Sequence, residues 1–295
     1  MKNGKAVSRK KIREFLGGAA FLAPSFLGVF LFFILPFGVV VYYSLINNPV
    51  QHEFVFLDNF IALLKNSAFK IAAKNTAAFS AVAVPLAVCL SLCLALMLEC
   101  RIPLKSQFRT FFLSPMMVPV ASVILIWQVM FNYNGTVNEL LSLIGVDKID
   151  WLKSKYCHIV VILLFLWKNL GYNMILFMAA LNNIPRELLE MADVEGAGPV
   201  YKFFSLKLRY LSPTILFVTI LSLISSFKVF REVYLLTGDY PYEGLYMLQH
   251  FMNNTFRSLD YQKLSSAAIV MAIVMVLIIA VLFVIEDRFG KDVEG

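Results

Sequence analysis

Apolar residues run along this chain in long stretches, and the polar residues that separate them come in short bursts. A hydrocarbon core about 30 Å thick takes roughly 20 residues of helix to cross. Windows near residues 15–45, 75–98, 110–131, 159–181, 213–230 and 264–285 meet that length. The pattern predicts an all-α integral membrane protein with six transmembrane helices over residues 15–288, a basic N-terminal segment over 1–14 and a short tail over 289–295. The connections between the windows leave no room for a soluble domain.

Composition agrees, since 60% of the residues are hydrophobic and only 15% are charged, too apolar for a water-exposed surface. The formal charge of +7 reads as orientation and not as nucleic-acid binding, because the cations are scattered between apolar spans and form no basic face. They are densest in Lys2, Lys5, Arg9, Lys10, Lys11 and Arg13, and recur at Arg101, Lys105 and Arg109, at Arg186 to Arg209, and at Arg288 and Lys291. The positive-inside rule then places both termini in the cytoplasm. The first window is expected to stay as an anchor, for it is longer than the core of a secretory signal and contains no small-residue cleavage site. Four cysteines imply no disulfide framework. Cys157-His158 alone makes no metal site, so no metal is expected.

Polar residues inside the spans cost free energy and so mark function. The fourth window carries Lys168, Asn169, Gly171, Tyr172 and Asn173. Helical spacing sets Lys168 over Tyr172 and Asn169 over Asn173, which predicts one polar stripe. Lys168 lies about nine residues inside the span, near the membrane midplane at 1.5 Å per residue. A lysine costs roughly 2.5 to 3.5 kcal/mol there. Two readings stand: it lines a solute pathway, or it pairs with a neighbouring helix and holds the bundle. Ser222 and Ser226, one turn apart in the fifth window, either join that pathway or serve helix packing.

The segment 182–212 is the longest internal loop and is more charged than its surroundings. Pro185 suits a helix start, Arg186 to Val194 are mostly helix formers, and Gly196 and Gly198 can end the run in left-handed geometry. This short helix bears Glu187, Glu190, Asp193 and Glu195, whereas a helix resting on anionic lipid is normally basic. Docking into a soluble protein partner is the expectation. No phosphate-binding loop, zinc helix or nucleophile elbow is present, and the spans hold essentially no carboxylates of the kind that couple ions to transport. The chain is therefore expected to be no enzyme, with its driving energy supplied by the docked partner. The alternatives are an ATP-independent secondary carrier or channel, and, last, a membrane-embedded enzyme.

Residues 190–197, EMADVEGA, resemble the E-A-A-x-x-D-G-A signature of ABC-importer permease subunits. ALNNIP at 180–185 is similar to the A-L-x-x-I-P that precedes it. Phe203 to Pro213 resembles the stretch that follows, with Arg209 in place of a proline and, in the signature itself, Met191 in place of an alanine. Leu57 to Phe60, Asn75-Thr76, Asp150 to Leu152, Trp167 with Gly171, and Tyr234 to Gly238 are similar to the carbohydrate-importer branch, the maltose and multiple-sugar type.

That resemblance implies a type I importer permease fold with a cytoplasmic coupling helix that contacts an ATPase through Glu187, Glu190, Ala192, Asp193 and Gly196. It implies a second homologous permease, a cytoplasmic ATPase dimer that itself binds ATP and Mg, an extracellular solute-binding protein, membrane lipid and a sugar-like substrate. The chain's own cofactors are expected to be none and its location the cell membrane. Lys168, Asn169, Gly171, Tyr172, Ser222 and Ser226 are the residues expected along the substrate pathway.

Overall fold

The computed structural model describes residues 17–48, 50–99 and 103–290. The basic segment 1–14, Cys100, Arg101 and the tail beyond residue 290 lie outside them. Twelve helices, and a further helical stretch at 199–210, organise the described residues: α1 (Gly17–Ser44), α2 (Asp58–Lys65), α3 (Ser67–Glu99), α4 (Lys105–Met117), α5 (Val120–Met130), α6 (Thr136–Leu143), α7 (Cys157–Asn182), α8 (Arg186–Val194), α9 (Ser212–Phe227), α10 (Phe230–Thr237), α11 (Leu248–Arg257) and α12 (Tyr261–Gly290). The only strand pairing among them is an isolated bridge between Ile46 and Phe54. Five spans are long and apolar enough to cross a membrane, namely α1, α3, α7, the joined α9–α10 stretch Ser212–Thr237, and α12. The bent pair α4–α5 is apolar enough for a sixth when its two halves are counted as one span.

That bent pair corrects the expectation of one straight third span. Its halves meet at 99°, at Val118-Pro119. A residue before proline is pushed out of helical geometry, and Val118 is extended at φ −88°, ψ 132°. Pro119 then caps α5 without needing an N–H that helix starts leave unused. The fifth span also departs from its expected end at Phe230, running on through a break at Lys228-Val229 to Thr237.

Two compact units divide the described residues, those up to Leu64 with Ser258–Ala272 in one, and Lys65–Arg257 with 273–290 in the other. In the first, the Asn59 side-chain amide donates to the carbonyls of Ser44 and Ile46 at 3.0 and 2.8 Å, tying α2 to the end of α1. The widened π-helical turn Phe30–Ile34 inside α1 sits just before Pro36, whose ring disrupts the regular ladder.

In the second unit α3 is the central helix, packed on α7 and α9. Ala83, Ala87, Ser91 and Ala95 recur every fourth residue and have no exposed surface. Small side chains on one helical row let backbones approach closely, which is how helices associate where lipid is as apolar as the protein. Around that row lie Val84, Met174, Phe177 and Val218 towards the α8 end, and Phe79, Val161, Phe165 and Val233 towards the other end. Cys157 is buried in this core, whereas Cys89 and Cys93 are exposed.

Candidate functional site

Two places interrupt the apolar pattern, and the structure gives each a definite geometry. The first is α8. Pro185 occupies its N-cap at φ −58°, and Glu187 lies in the first turn, where a carboxylate favours the helix dipole. At the other end the Ala197 N–H donates to Ala192 O at 2.9 Å and the Gly196 N–H to Asp193 O at 3.1 Å, the paired bonds of a Schellman motif. Gly196 has φ +78°. A β-carbon built there meets nothing within 4 Å of this chain, so glycine is favoured by backbone conformation and not by crowding within the subunit. Gly198 is extended at φ −67°, ψ 163°, which corrects the expectation that it too is left-handed.

Only Ala192 of α8 is buried, at 8% exposure, and Leu189 packs the helix against the core of the bundle. Glu187, Glu190, Asp193 and Gly196 all face outward. Glu187 and Glu190 bond to no other described residue, while Asp193 is paired with Lys202. Beside these acids lies an apolar row: Met191 is 63% exposed and Val194 90%. Val200, Tyr201 and Phe204, on the helical stretch that follows, are exposed as well. The helical stretch 199–210 that carries them includes a π turn at Lys202–Lys207. Arg209 retains the N–H a proline would lack, and the stretch runs on helically through Tyr210. Lys207 Nζ reaches both carboxylate oxygens of Glu99 at 2.7 Å, pinning this stretch to the end of α3.

The second place is the middle of α7. Lys168 is ion-paired with Glu232 of α10, a residue placed outside the spans by apolar length alone. The expectation that the spans hold essentially no carboxylate is thereby corrected. The pair resolves the cost of a midplane lysine, and so realises the helix-pairing reading of Lys168. Lys168 remains partly exposed, with Glu232 buried behind it. Both line a cavity of about 220 Å³ with Leu164, Asn169, Lys228 and Arg231. Asn169 Nδ2 donates to Phe165 O at 2.7 Å, which leaves its side-chain oxygen as the unused acceptor. Tyr172, one turn on from Lys168, is exposed.

The remaining expected pathway residues are committed to helix packing. Asn173 is buried and donates to Ser222 Oγ at 2.9 Å, and Ser226 shares a hydrogen bond with Ser80 of α3 at 2.8 Å. Ser222 and Ser226 are each 1% exposed, so they present no open surface. Gly171 is where α4 crosses α7, for a β-carbon there lies 1.8 Å from Phe112 O. The expected single stripe is thus divided: Lys168, Asn169 and Tyr172 share the open face, while Gly171 and Asn173 lie about 100° to either side of it, turned inward against α4 and α9. Lys228, Arg231 and Glu232 were missed as site residues. Their signal was the i,i+4 pair Lys228/Glu232 within the apolar run FKVFREVYLL.

The opposite end of the unit is braced by the motifs shared with the carbohydrate branch. Asn75 donates to the carbonyls of Glu243 and Tyr246, at 2.6 and 3.1 Å, and Trp151 Nε1 to Asn138 Oδ1 at 2.9 Å. Gln128 of α5 reaches the carbonyls of Leu235 and Leu236 at 3.2 Å. Among the described residues no three His, Cys, Asp or Glu side chains converge as a metal site would require.

A multi-pass helical bundle with an outward acidic helix and a polar cavity at membrane depth is the build of a membrane transport component. The chain belongs to the family of binding-protein-dependent transport system inner membrane components, which it matches over residues 87–295. It is 30% identical to the trehalose/maltose transport system permease protein MalF of Thermococcus litoralis over 290 residues, 97% of this chain and 98% of that one. It is 32% identical to the sn-glycerol-3-phosphate transport system permease protein UgpA of Yersinia enterocolitica, with 88% of each chain covered. The fold matches a bacterial ABC transporter involved in import of the acidic polysaccharide alginate. The TM-score is 0.81 at 22% identity, over 95% of this chain and 98% of that one. This chain is an inner-membrane, multi-pass permease.

Proposed function

We propose that this permease forms half of the translocation path of an ATP-driven, binding-protein-dependent importer for a sugar or related polar solute. The observation that carries the reading is α8: an outward helix with unpaired Glu187 and Glu190, exposed apolar Met191 and Val194 beside them, and Leu189 and Ala192 turned inward. Such a knob fits a cleft in a soluble partner. The partner in this reading is a cytoplasmic ATPase dimer that holds ATP and Mg, so α8 and both termini face the cytoplasm. A second homologous permease completes the path, and an extracellular solute-binding protein delivers the solute. The relatives named for trehalose/maltose and for sn-glycerol-3-phosphate support a small hydroxylated solute.

Force reaches the membrane through two fixed joints. The Asp193–Lys202 pair and the Glu99–Lys207 pair tie α8 and the stretch after it to α3. Residues 183–185 join α8 to α7 with Ile184 buried in the core. A rigid displacement of α8 is therefore handed to the helix that carries Lys168, Asn169 and Tyr172, the residues that line the path in this reading.

Gly196→Asp is the test. Aspartate tolerates left-handed backbone better than most residues, and this chain leaves open space at the position. The variant is expected to insert and to abolish uptake, because its side chain projects into the docked partner. Normal uptake by Gly196→Asp contradicts the assignment. One observation favours the ATP-independent carrier, namely the carboxylate of Glu232 at membrane depth, of a kind ion-coupled carriers use. Its pairing with Lys168 gives that carboxylate a structural role instead.

A further inference from the structure

We propose that the cavity between α7 and the break in the fifth span binds the anionic group of the solute, a carboxylate or a phosphate, as the solute crosses the membrane. The inference rests on the permease reading and narrows its substrate from polar to acidic. The cavity of about 220 Å³ gathers three cations, Lys168, Lys228 and Arg231, around one carboxylate, Glu232. Glu232 is buried and committed to Lys168. Lys228 and Arg231 are exposed to the cavity and form no ion pair with any described residue.

Their position makes this excess meaningful. Both lie within the apolar stretch Ser212–Thr237, beside a carboxylate that meets Lys168 in the middle of α7. Uncompensated charge at that depth has to face water or a counter-ion. The break at Lys228-Val229 is what aims them: the helix ends at Phe227, the Lys228 N–H is shared between the carbonyls of Ile224 and Ser225, and α10 restarts at Phe230. Residues 228 and 231, three apart, thereby line the same cavity as Lys168. A neutral sugar is recognised by hydrogen bonds and an aromatic face. The guanidinium of Arg231 beside the unpaired ammonium of Lys228 instead matches the charge and forked geometry of a carboxylate or phosphate. The spare oxygen of Asn169 can accept a bond from a hydroxyl of the same solute.

The test uses the complete importer with its own partners in vesicles, offered matched pairs: an oligogalacturonate against its carboxyl-reduced form, and glycerol 3-phosphate against glycerol. The first pair probes a carboxylate and the second a phosphate. We expect uptake of the acidic member of one pair. In the double variant Lys228→Gln with Arg231→Gln, the acidic-to-neutral uptake ratio is expected to fall by about tenfold or more. The binding protein is identical in both complexes, so a change in the ratio belongs to the permease. An unchanged ratio, or a wild-type complex that takes up neither acidic compound, overturns the inference. Loss of co-purification with the second permease also overturns it, since the cations then serve a carboxylate of that subunit. Uptake of a neutral member alone sinks the inference and leaves the permease reading standing, whereas uptake that proceeds without ATP strikes the permease reading itself.

Discussion

Gly171 and His250 are two residues whose surroundings dictate what they do. At Gly171 the backbones of α4 and α7 touch, and any side chain meets the Phe112 carbonyl. Gly171→Ala is expected to cost about 1 to 3 kcal/mol as overpacking, read as a lower melting temperature of the detergent-solubilised subunit; an unchanged melting temperature refutes the close contact. His250 lies in α11, outside the spans, with no exposed surface. Its Nδ1 accepts the Met247 N–H at 3.3 Å, so the ring proton sits on Nε2. Tyr246 and Phe230 flank the ring. Burial pushes its pKa down to about 4, against a smaller upward pull from Asp239. A lowered pKa means the folded ring stays neutral while the unfolded one takes up a proton. Its stabilisation is complete above about pH 6.5 and is lost as the pH falls towards 4. Amides of α11 are expected to be less protected at pH 5 than at pH 7.5 once intrinsic exchange rates are divided out. Substituting His250→Phe is expected to remove the difference, and equal protection in the wild type contradicts this role.

Among the elements, α8 was the most legible. Pro185, the acidic run and Gly196 mark its start, face and end, and the Schellman bonds form at the residues those signals indicate. The long apolar windows were legible for the same reason, because a span needs only length and hydropathy. What apolar length hides is a break inside a span. Pro119 bends the third span by 99°, and a hydropathy window averages over it. The fifth span continues past its charged break because Glu232 is neutralised by Lys168 from another helix, a pairing that no local pattern contains. Ser222 and Ser226 show the converse. Hydroxyls in an apolar run read equally as pathway or packing, and only the positions of Asn173 and Ser80 decide for packing.

At the scale of the molecule, the apolar windows of α1 and α12 have none of their residues buried within this chain. Their side chains need lipid or another subunit as solvent, in keeping with a protein that works as part of an assembly. The chain brings an outward knob, fixed joints to α3 and α7, and a charged cavity at membrane depth. In the proposed importer the driving reaction is supplied by the ATPase that docks on α8. The most direct measurement is solute uptake into vesicles that carry this permease alone, set beside vesicles that carry it with its second permease, ATPase and binding protein. The permease alone is expected to move nothing, and the complete assembly to import solute only with ATP inside the partner's reach. Saturable uptake by the lone chain without ATP contradicts the proposal.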